Sequence, residues 1–446
     1  MLNSETQQPG PRRGTVRFIL LGALLIVMAS TIIAAARGNL PLPIPPQADT
    51  AAKERESSSI VTDITAGESS GTEHGTADAA ATGPLLTDAT TTVPATTAAD
   101  TAGEAAADPD RVRYLLSENS AVADAETRPD ASGAWTQWAP GISTPYLLDV
   151  RLPEFDAARP LNGVTVILDP GHGGKDPGTA GFDSSGNEHP EKTFNLCLAN
   201  RLTPLLEAQG AQVIPTRTGD EWVSLYSRIA LAGQHATSIW QALLDQLNVD
   251  TAWIGAIDAG FQVMRSINED TAGSGGRGMA QGVGMNEAMR KAMDMQRQLT
   301  NTIYLSIHAN ASTESTEVRG FQVFYTSSDA VYASEGERVR TQPDGEDTKP
   351  VSPFYPHYDN EGRRALATAV AQALGEAVPE LNKHAEPVTS GNYAYLREVN
   401  YNAIMLEAGF MSNPYDLALL IDESVQQRLA EGLVRGLAAY VESLSP

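Results

Sequence analysis

Cysteine is almost absent from this chain of 446 residues, and the only thiol is that of Cys197. One thiol cannot form an intramolecular disulfide, and a cysteine-based zinc site is excluded for the same reason. Any metal ion must therefore be held by His, Asp or Glu side chains. Cys197 lies at helical spacing from Phe194 and Leu198, which predicts a small buried side chain rather than a reactive thiol.

Basic residues are also scarce, with 31 Lys and Arg against 55 Asp and Glu and a formal net charge of -24. A general nucleic-acid-binding protein needs a basic surface, so we expect no nucleic-acid partner. The glycine patterns of nucleotide-binding loops, GxGxxG and GxxxxGK[ST], are missing from the Gly-rich segment at 171–178. Nucleotide binding is therefore poorly supported as well.

Charged residues are missing from 18–36, where the sequence is FILLGALLIVMASTIIAAA. As a helix this segment spans about 28 Å, close to the hydrocarbon thickness of a bilayer. Three arginines at 12–17 precede it, which predicts a cytoplasmic N-terminus at 1–17 and a transmembrane signal-anchor at 18–36. The rest of the chain is then extracytoplasmic. The sequence AAAR at 34–37 resembles a cleavage site and leaves secretion as the alternative, with the same side of the membrane for the protein.

Aromatic residues are absent from 46–110, which carries 12 acidic side chains and only two basic ones. Ala, Thr, Ser, Pro and Gly make up most of the remainder, and such a composition cannot bury enough apolar surface to fold. We expect a disordered acidic tether over 37–110 with an r.m.s. span of very roughly 50 Å. A tether of that length would hold a folded domain well away from a membrane.

Strand-like and helix-like segments alternate from about residue 161 to the C-terminus at 446. The alternation predicts an α/β domain with a central, mostly parallel or mixed sheet flanked by helices. The preceding residues 111–160 contain Trp135 and Trp138 but are too short for a convincing domain, so we interpret them as a lead-in segment. The predicted strands are VTVILD, AQVIPTR, TIYLSIHAN, RGFQVFY and NAIMLEAGF, and the predicted helices cover 191–210, 363–378 and 414–444.

Polar side chains follow or end three of these predicted strands, at His172, His308 and Glu407. Ligands of open α/β sheets gather at the carboxyl ends of the strands, so the three side chains are expected at one edge. Two imidazoles and a carboxylate suit a catalytic zinc site that keeps one position for water. Glu191, which opens the next predicted helix, supplies a further carboxylate.

Other polar residues near these strands leave alternatives to this set. Glu188 and His189 remain alternatives to Glu191 on the residues alone, whereas His357 and His384 lie in polar, loop-like stretches typical of the surface. The glycines at 173 and 174 are interpreted as leaving His172 open to an approaching ligand.

The ordered motifs VILDPGHGGKDPGTAG, EKTFNL, QVIPTRTGD, SLYSRIALA, YLSIHANAS and NYAYLREVNYNAIMLEAGFMSNPYD resemble those of the zinc-dependent N-acetylmuramoyl-L-alanine amidases of bacterial cell walls. The resemblance covers about 163–446 and implies an α/β fold that hydrolyses the amide between N-acetylmuramic acid and L-alanine in peptidoglycan. It implies one zinc ion per chain, held by His172, Glu191 and His308, with Glu407 as the catalytic carboxylate. The alternatives are a zinc peptidase acting on the stem peptide and a catalytically silent wall-binding module.

One interruption separates the motif containing Arg228 from the strand containing His308, over about 233–300. Its apolar residues follow helical spacing, a Gly-rich stretch lies at 273–284, and six of the ten methionines of the chain fall inside it. We expect a helical insertion. It is either an extra layer on the catalytic domain or an adaptable, Met-rich surface for a protein activator or a lid.

Overall fold

The computed structural model describes residues 112–118, 144–270, 287–331, 333–334 and 357–444. The predicted N-terminus at 1–17, signal-anchor at 18–36 and tether at 37–110 lie outside these residues, as do Trp135 and Trp138. Among the helices in the described ranges, none combines the length and the apolar character that a membrane span requires.

Segments rich in apolar residues form the central strands β3, β7 and β10, whose bounds are given below. The three longest apolar runs are almost completely buried, as expected for central strands of a parallel sheet covered on both faces. The strands are β1 (Arg113–Glu118), β2 (Tyr146–Arg151), β3 (Thr165–Pro170), β4 (Ala180–Phe182), β5 (Glu188–Pro190), β6 (Gln212–Pro215), β7 (Thr302–Asn310), β8 (Gln322–Tyr325), β9 (Val388–Ser390) and β10 (Asn402–Phe410).

The central sheet has six strands in the order β6-β3-β7-β10-β8-β9. Strands β6, β3, β7 and β10 are parallel to their neighbours, β8 runs antiparallel to β10, and β9 is parallel to β8. The predicted mixed, mostly parallel sheet is therefore confirmed. Because β3, β7 and β10 are adjacent and parallel, their carboxyl ends meet at one edge of the sheet.

Helices cover both faces of this sheet. One face is packed by the helix that begins at Glu191, by a long helix near residue 370 and by the C-terminal helix, and the other by the helices of the predicted insertion. The described helices are α1 (Glu191–Ala208), α2 (Leu225–Gln246), α3 (Ala252–Ile267), α4 (Glu287–Arg297), α5 (Asn360–Ala377), α6 (Ala394–Arg397), α7 (Pro414–Leu420) and α8 (Glu423–Ser443).

The described part of the predicted insertion is helical, and α2 runs through residue 233 without interruption. Gly233 lies against the ring of Phe261 in α3, so that the two helices pack closely there. The four methionines of this region that the structure describes are buried in the core beneath the sheet, which contradicts an exposed Met-rich surface at those positions: Met264, Met289, Met293 and Met295. The helical-layer interpretation is the one that these residues support.

Two predictions of burial are wrong. Cys197 is exposed, because the buried face of α1 follows Phe194, Leu198 and Leu202 and places position 197 on the opposite side. Leu247, one of the apolar residues at helical spacing in the insertion that were expected on its buried face, is 55% exposed at the C-terminal end of α2.

Two antiparallel strand pairs were not predicted. In the lead-in segment β1 pairs with β2, and the side chain of Gln298 accepts a hydrogen bond from the amide of Leu148 at 2.8 Å. Strands β4 and β5 form a hairpin that leads directly into Glu191 at the start of α1. These two strands have three residues each, which is too few for a clear alternating pattern.

Candidate metal centre

His172 sits in a left-handed turn two residues after β3. Its φ is 60°, and Gly173 and Gly174 follow with φ of 128° and 56°. A left-handed backbone is costly for a residue with a side chain and inexpensive for glycine. The turn thus needs glycines after the histidine, and His172 itself carries backbone strain of the kind found at functional sites.

The sequence suggested that Gly173 and Gly174 leave His172 open to an approaching ligand. The structure contradicts this interpretation. A Cβ atom at Gly173 would overlap the carbonyl oxygen of Glu221, and one at Gly174 would lie 2.5 Å from the backbone nitrogen of Trp222. The space beside both glycines is therefore filled by the 217–222 loop. Close backbone packing, rather than substrate access, explains why these positions lack side chains.

Three buried side chains converge beyond this turn: His172, Glu191 and His308. The carboxylate of Glu191 lies between the imidazoles, with Oε2 at 3.1 Å from Nε2 of His172 and Oε1 at 2.9 Å from Nδ1 of His308. One donor atom from each residue falls within 4.8 Å of the others, and this is the group in the described residues that has metal-binding geometry.

Backbone and amide donors hold the Glu191 carboxylate in place. The amide of Thr179 donates to Oε2 at 3.0 Å, and the amide of Ala309 donates to Oε1 at 3.1 Å. Asn195, one turn further along α1, donates to Oε1 at 3.2 Å and to the carbonyl of Gly171 at 3.2 Å. The carboxylate is thus oriented before any ligand binds.

Asp176 orients His172 and was missed by the sequence analysis. Its Oδ2 atom lies 2.7 Å from Nδ1 of His172, and its Oδ1 atom accepts from the amide of Gly178 at 3.0 Å. A carboxylate on one ring nitrogen fixes the ring and directs the other nitrogen toward the site, as is usual for metal-binding histidines. Its position four residues after His172 is the feature of the sequence from which Asp176 could have been identified.

The charges of this cluster explain its shifted pKa values. Burial alone would lower the pKa of His172, but hydrogen bonds and charges from Asp176 and Glu191 raise it to about 10. Burial would raise the pKa of Glu191, but the hydrogen bonds from His172 and His308 hold it well below its usual range. Both shifts follow from the close approach of the imidazoles to the carboxylates.

Glu407 lies beside this cluster on the neighbouring strand, where it pairs in register with His308. Burial and the nearby charge of Glu191 raise the pKa of Glu407 well above its usual value. Its Oε2 atom is buried and has no hydrogen-bond partner among the described residues. Glu407 is thus separate from the three converging donors and keeps a free carboxylate oxygen.

Two buried arginines support the turn that carries His172. Arg228 pairs with Asp169 and donates to the carbonyl of His172 at 2.6 Å. Arg217 donates to the carbonyls of Pro170 at 2.8 Å and of Gly171 at 2.8 Å. Burial would raise the pKa of Asp169, but Arg228 and further hydrogen bonds lower it to about 2.

The remaining candidates lie outside the cluster. Glu188 is exposed on β5, and His189 is engaged with Asp183, whose Oδ2 atom lies 3.1 Å from its Nε2 atom. The structure thus brings Glu191, rather than either of these neighbours, to the two imidazoles. His357 and His384 are partly exposed, and neither belongs to the group with metal-binding geometry.

The fold and the site define an α/β protein with a His–Glu–His centre at the carboxyl ends of parallel strands, an arrangement typical of metal-dependent hydrolases. The model of the family described as N-acetylmuramoyl-L-alanine amidase matches residues 166–240 and 259–439, more than half of the chain. The chain therefore belongs to the N-acetylmuramoyl-L-alanine amidase family and is an enzyme of that activity. The unmatched residues 241–258 lie inside the predicted insertion.

Individual relatives share only about a quarter of their residues or fewer with this chain. The chain is 24% identical over 311 residues to the probable cell wall amidase LytH of Staphylococcus aureus, covering 70% of this chain and 69% of the relative. A solved N-acetylmuramoyl-L-alanine amidase from Clostridium difficile 630 has 23% identity and a TM-score of 0.37, covering 63% of this chain and 98% of that one. The CwlD amidase from Clostridioides difficile, solved with the GerS lipoprotein, has 22% identity and a TM-score of 0.36, covering 63% and 99%.

Proposed function

We propose that this amidase cleaves the amide between the lactyl group of N-acetylmuramic acid and L-alanine, with one zinc ion held by His172, Glu191 and His308. The observation that carries the proposal is the convergence of these three buried side chains beside Glu407. The donor set fits zinc, because two imidazoles and one carboxylate leave a fourth position free for water or substrate.

Each nearby side chain has a separate task in this reaction. When bound, zinc supplies Lewis-acid polarisation of the amide carbonyl and of the attacking water. Glu407 takes a proton from the water as the new C–O bond forms, and returns it to the nitrogen of L-alanine as the C–N bond breaks. Asp176 keeps Nε2 of His172 facing the centre, and the amides of Thr179 and Ala309 keep Glu191 in place.

Peptidoglycan lies outside the cytoplasmic membrane, so the enzyme acts there, in cell-wall remodelling or cell separation. The uncharged segment at 18–36 supports an N-terminal membrane anchor, and the acidic residues 37–110 support a flexible tether between that anchor and the catalytic domain. Cleavage after 34–37 would release the same domain on the same side of the membrane.

The insertion at 233–300 is proposed to modulate access to the metal centre, as a lid or as the binding surface of a protein activator. Its support is a direct connection: the side chain of Asn268, at the end of α3, accepts from the amide of Ser224 at 2.8 Å and donates to the carbonyl of Trp222 at 2.9 Å. Trp222 packs against Gly174, two residues from His172.

Replacing His172 tests the metal centre. His172→Ala in the full chain should lose both bound zinc, measured by elemental analysis, and hydrolysis of purified peptidoglycan, because one of the three donors is gone. His384→Ala is the matched control, since that partly exposed ring lies outside the cluster, and it should keep both properties. Full activity of metal-free protein would contradict the zinc mechanism.

Mass spectrometry of the digested wall identifies the bond that is cut. Free stem peptides beginning with L-alanine, together with glycan strands whose lactyl groups end in a carboxylate, are the expected products. Peptides shortened within the stem would indicate a zinc peptidase instead. Wall that is bound but chemically unchanged would indicate a silent wall-binding module.

A further inference from the structure

Gln322 lies next to Glu407, on the side of that carboxylate away from His308. Glu407 of β10 pairs in register with His308 of β7 on one side and with Gln322 of β8 on the other. We propose that the side chain of Gln322 binds the peptide part of the substrate, with its Oε1 atom accepting a hydrogen bond from the N–H of the peptide bond that follows L-alanine. The inference deepens the proposed amidase function and rests on it.

The side chains of Gln322 and Glu407 project from the same face of the sheet. Phe324, two residues after Gln322 on β8, shares the face of Gln322 because side chains alternate along a strand. Met405, two residues before Glu407 on β10, shares the face of that carboxylate for the same reason. Both apolar side chains belong to the core beneath the insertion helices. The glutamine amide and the carboxylate are therefore neighbours on adjacent strands, on the face that the insertion covers.

The side chain of Gln322 keeps unused hydrogen-bonding capacity. The residue is 8% exposed, and donation from Nε2 to the carbonyl of Glu386 at 3.4 Å is its only side-chain hydrogen bond among the described residues. A glutamine amide has two donor hydrogens and an acceptor oxygen, so one N–H and Oε1 stay available. Buried polar groups are normally paired, and an incompletely paired amide beside the proton-transfer group therefore points to a ligand.

The backbone on both sides of Gln322 is fixed by neighbouring segments. The amide of Phe321 donates to the carbonyl of Leu381 at 2.8 Å, and the amide of Val323 donates to the carbonyl of Pro387 at 2.7 Å. Gln322 is also the first residue of a strand of the central sheet rather than part of a free loop. A group that selects a substrate must be positioned beforehand, and these contacts provide that rigidity.

The proposed reaction decides which part of the substrate reaches Gln322. The carbonyl of the scissile amide faces the three donors, and the nitrogen of L-alanine faces Glu407, which returns a proton to it. The direction from His308 to Glu407 thus leads from the lactyl side to the peptide side, and Gln322 is the next position in that direction. Neighbouring strands lie about 4.8 Å apart and an extended peptide advances about 3.4 Å per residue. The second residue of the stem peptide is therefore within reach of Gln322.

The free groups of the Gln322 amide match those of a peptide. In an extended chain the N–H and C=O of one residue point to the same side, as they do in a hydrogen-bonded strand pair. Oε1 can accept from that N–H while the free hydrogen of Nε2 donates to that C=O. No bond is formed or broken at Gln322, so its role is to determine specificity for a peptide beyond L-alanine.

Exchanging one atom of the substrate tests the hydrogen bond in the parent chain. Two soluble substrates are compared with the full, zinc-loaded protein: N-acetylmuramoyl-L-alanyl-glycine, and its ester analogue in which oxygen replaces the nitrogen of the second peptide bond. The parent should cleave the dipeptide at least about tenfold faster in kcat/KM, because the ester leaves Oε1 facing a second acceptor. Equal rates in the parent would overturn the assignment without any variant.

Gln322→Met assigns this preference to the glutamine, since it keeps an unbranched side chain of similar length and removes the amide. The variant should cleave the two substrates at rates within about twofold of each other, with unchanged zinc content. Gln372→Met is the matched control, because Gln372 is exposed on α5, and it should keep the preference of the parent. Retained preference in Gln322→Met would contradict the assignment, and so would loss of zinc, which would show that Gln322 only supports the fold of the site.

A binding measurement separates this inference from the amidase function. An analogue of the dipeptide substrate with a methylene group in place of the scissile carbonyl cannot be cleaved, and calorimetry measures its affinity directly. Gln322→Met should bind this analogue about tenfold more weakly than the parent. A parent that shows this difference but cleaves no wall amide would overturn the amidase function and keep the Gln322 assignment. A parent that cleaves the amide but binds the analogue no more tightly than Gln322→Met would overturn the Gln322 assignment alone.

Discussion

Glu407 differs from Glu191 in what surrounds its carboxylate. Both oxygens of Glu191 are bonded to backbone amides and imidazoles, whereas Oε2 of Glu407 is buried without a partner among the described residues. An unpaired buried oxygen destabilises the folded state, so its presence favours a functional role for the residue over a purely structural one. This difference supports Glu407 as the proton-transfer group and Glu191 as the donor to the metal.

Glu407→Gln separates these two roles. It should keep the fold and the bound zinc but lose activity by about 10²–10⁴-fold, because the amide cannot accept a proton. Glu188→Gln is the matched control, since Glu188 is exposed on β5, and its zinc content and rate should equal those of the parent. Loss of zinc in Glu407→Gln would mean that Glu407 is a metal ligand and that the assigned roles are wrong.

At the scale of elements, α2 and α3 of the insertion pack closely against each other at Gly233. Gly233 faces the ring of the fully buried Phe261, whereas Gly255 of α3 has no atom near the position of a Cβ. Both glycines lie inside helices, where glycine is less favourable than alanine by roughly 0.5–1 kcal/mol. Only Gly233 has a packing reason to be glycine.

Two alanine substitutions test this packing against each other. Gly233→Ala should lower the free energy of unfolding by about 1–3 kcal/mol, because the new methyl group overlaps a ring that cannot move. Gly255→Ala should raise it by roughly 0.5–1 kcal/mol through helix propensity alone. Chemical denaturation of both variants measures the difference. Similar shifts in the two variants would show that α3 does not pack on Gly233.

On the scale of the whole molecule, the candidate metal centre joins distant parts of the chain. His172 and Glu191 flank the β4–β5 hairpin, while His308 comes from β7, after the insertion. The site exists only when β3 and β7 pair, so a ligand that binds it stabilises the folded state and has little affinity for the unfolded chain.

Removing zinc should therefore lower the melting temperature of the whole catalytic domain. At free zinc about 1,000 times its Kd the linkage contributes about 4 kcal/mol, which a chelator removes. Calorimetry with and without chelator measures the shift, and restoring zinc should reverse it. His172→Ala should melt at one temperature under both conditions. A parent that melts equally with and without chelator would contradict metal binding at this site.

The sequence alone determined the strands that are buried along nearly their whole length. The apolar runs ending in His308 and Glu407 predicted β7 and β10 with the bounds that the structure has, because a central strand is buried at nearly every position. The α/β pattern also predicted that the carboxyl ends of the strands carrying His308 and Glu407 meet at one edge, and these two residues pair in register. The ordered motifs indicated the N-acetylmuramoyl-L-alanine amidase family, and the match of 166–240 and 259–439 to the family model established that membership.

Tertiary structure decided what depends on neighbours that are distant in sequence. On the residues alone, Glu188 and His189 stayed alternatives to Glu191, and the structure shows that the chain leaves the β4–β5 hairpin with the side chain of Glu191 next to His308. The need for glycine at 173 comes from the backbone of Glu221, and no local pattern records that contact. Periodicity encodes how deeply a residue is buried, but only the packed fold specifies which atoms lie against it.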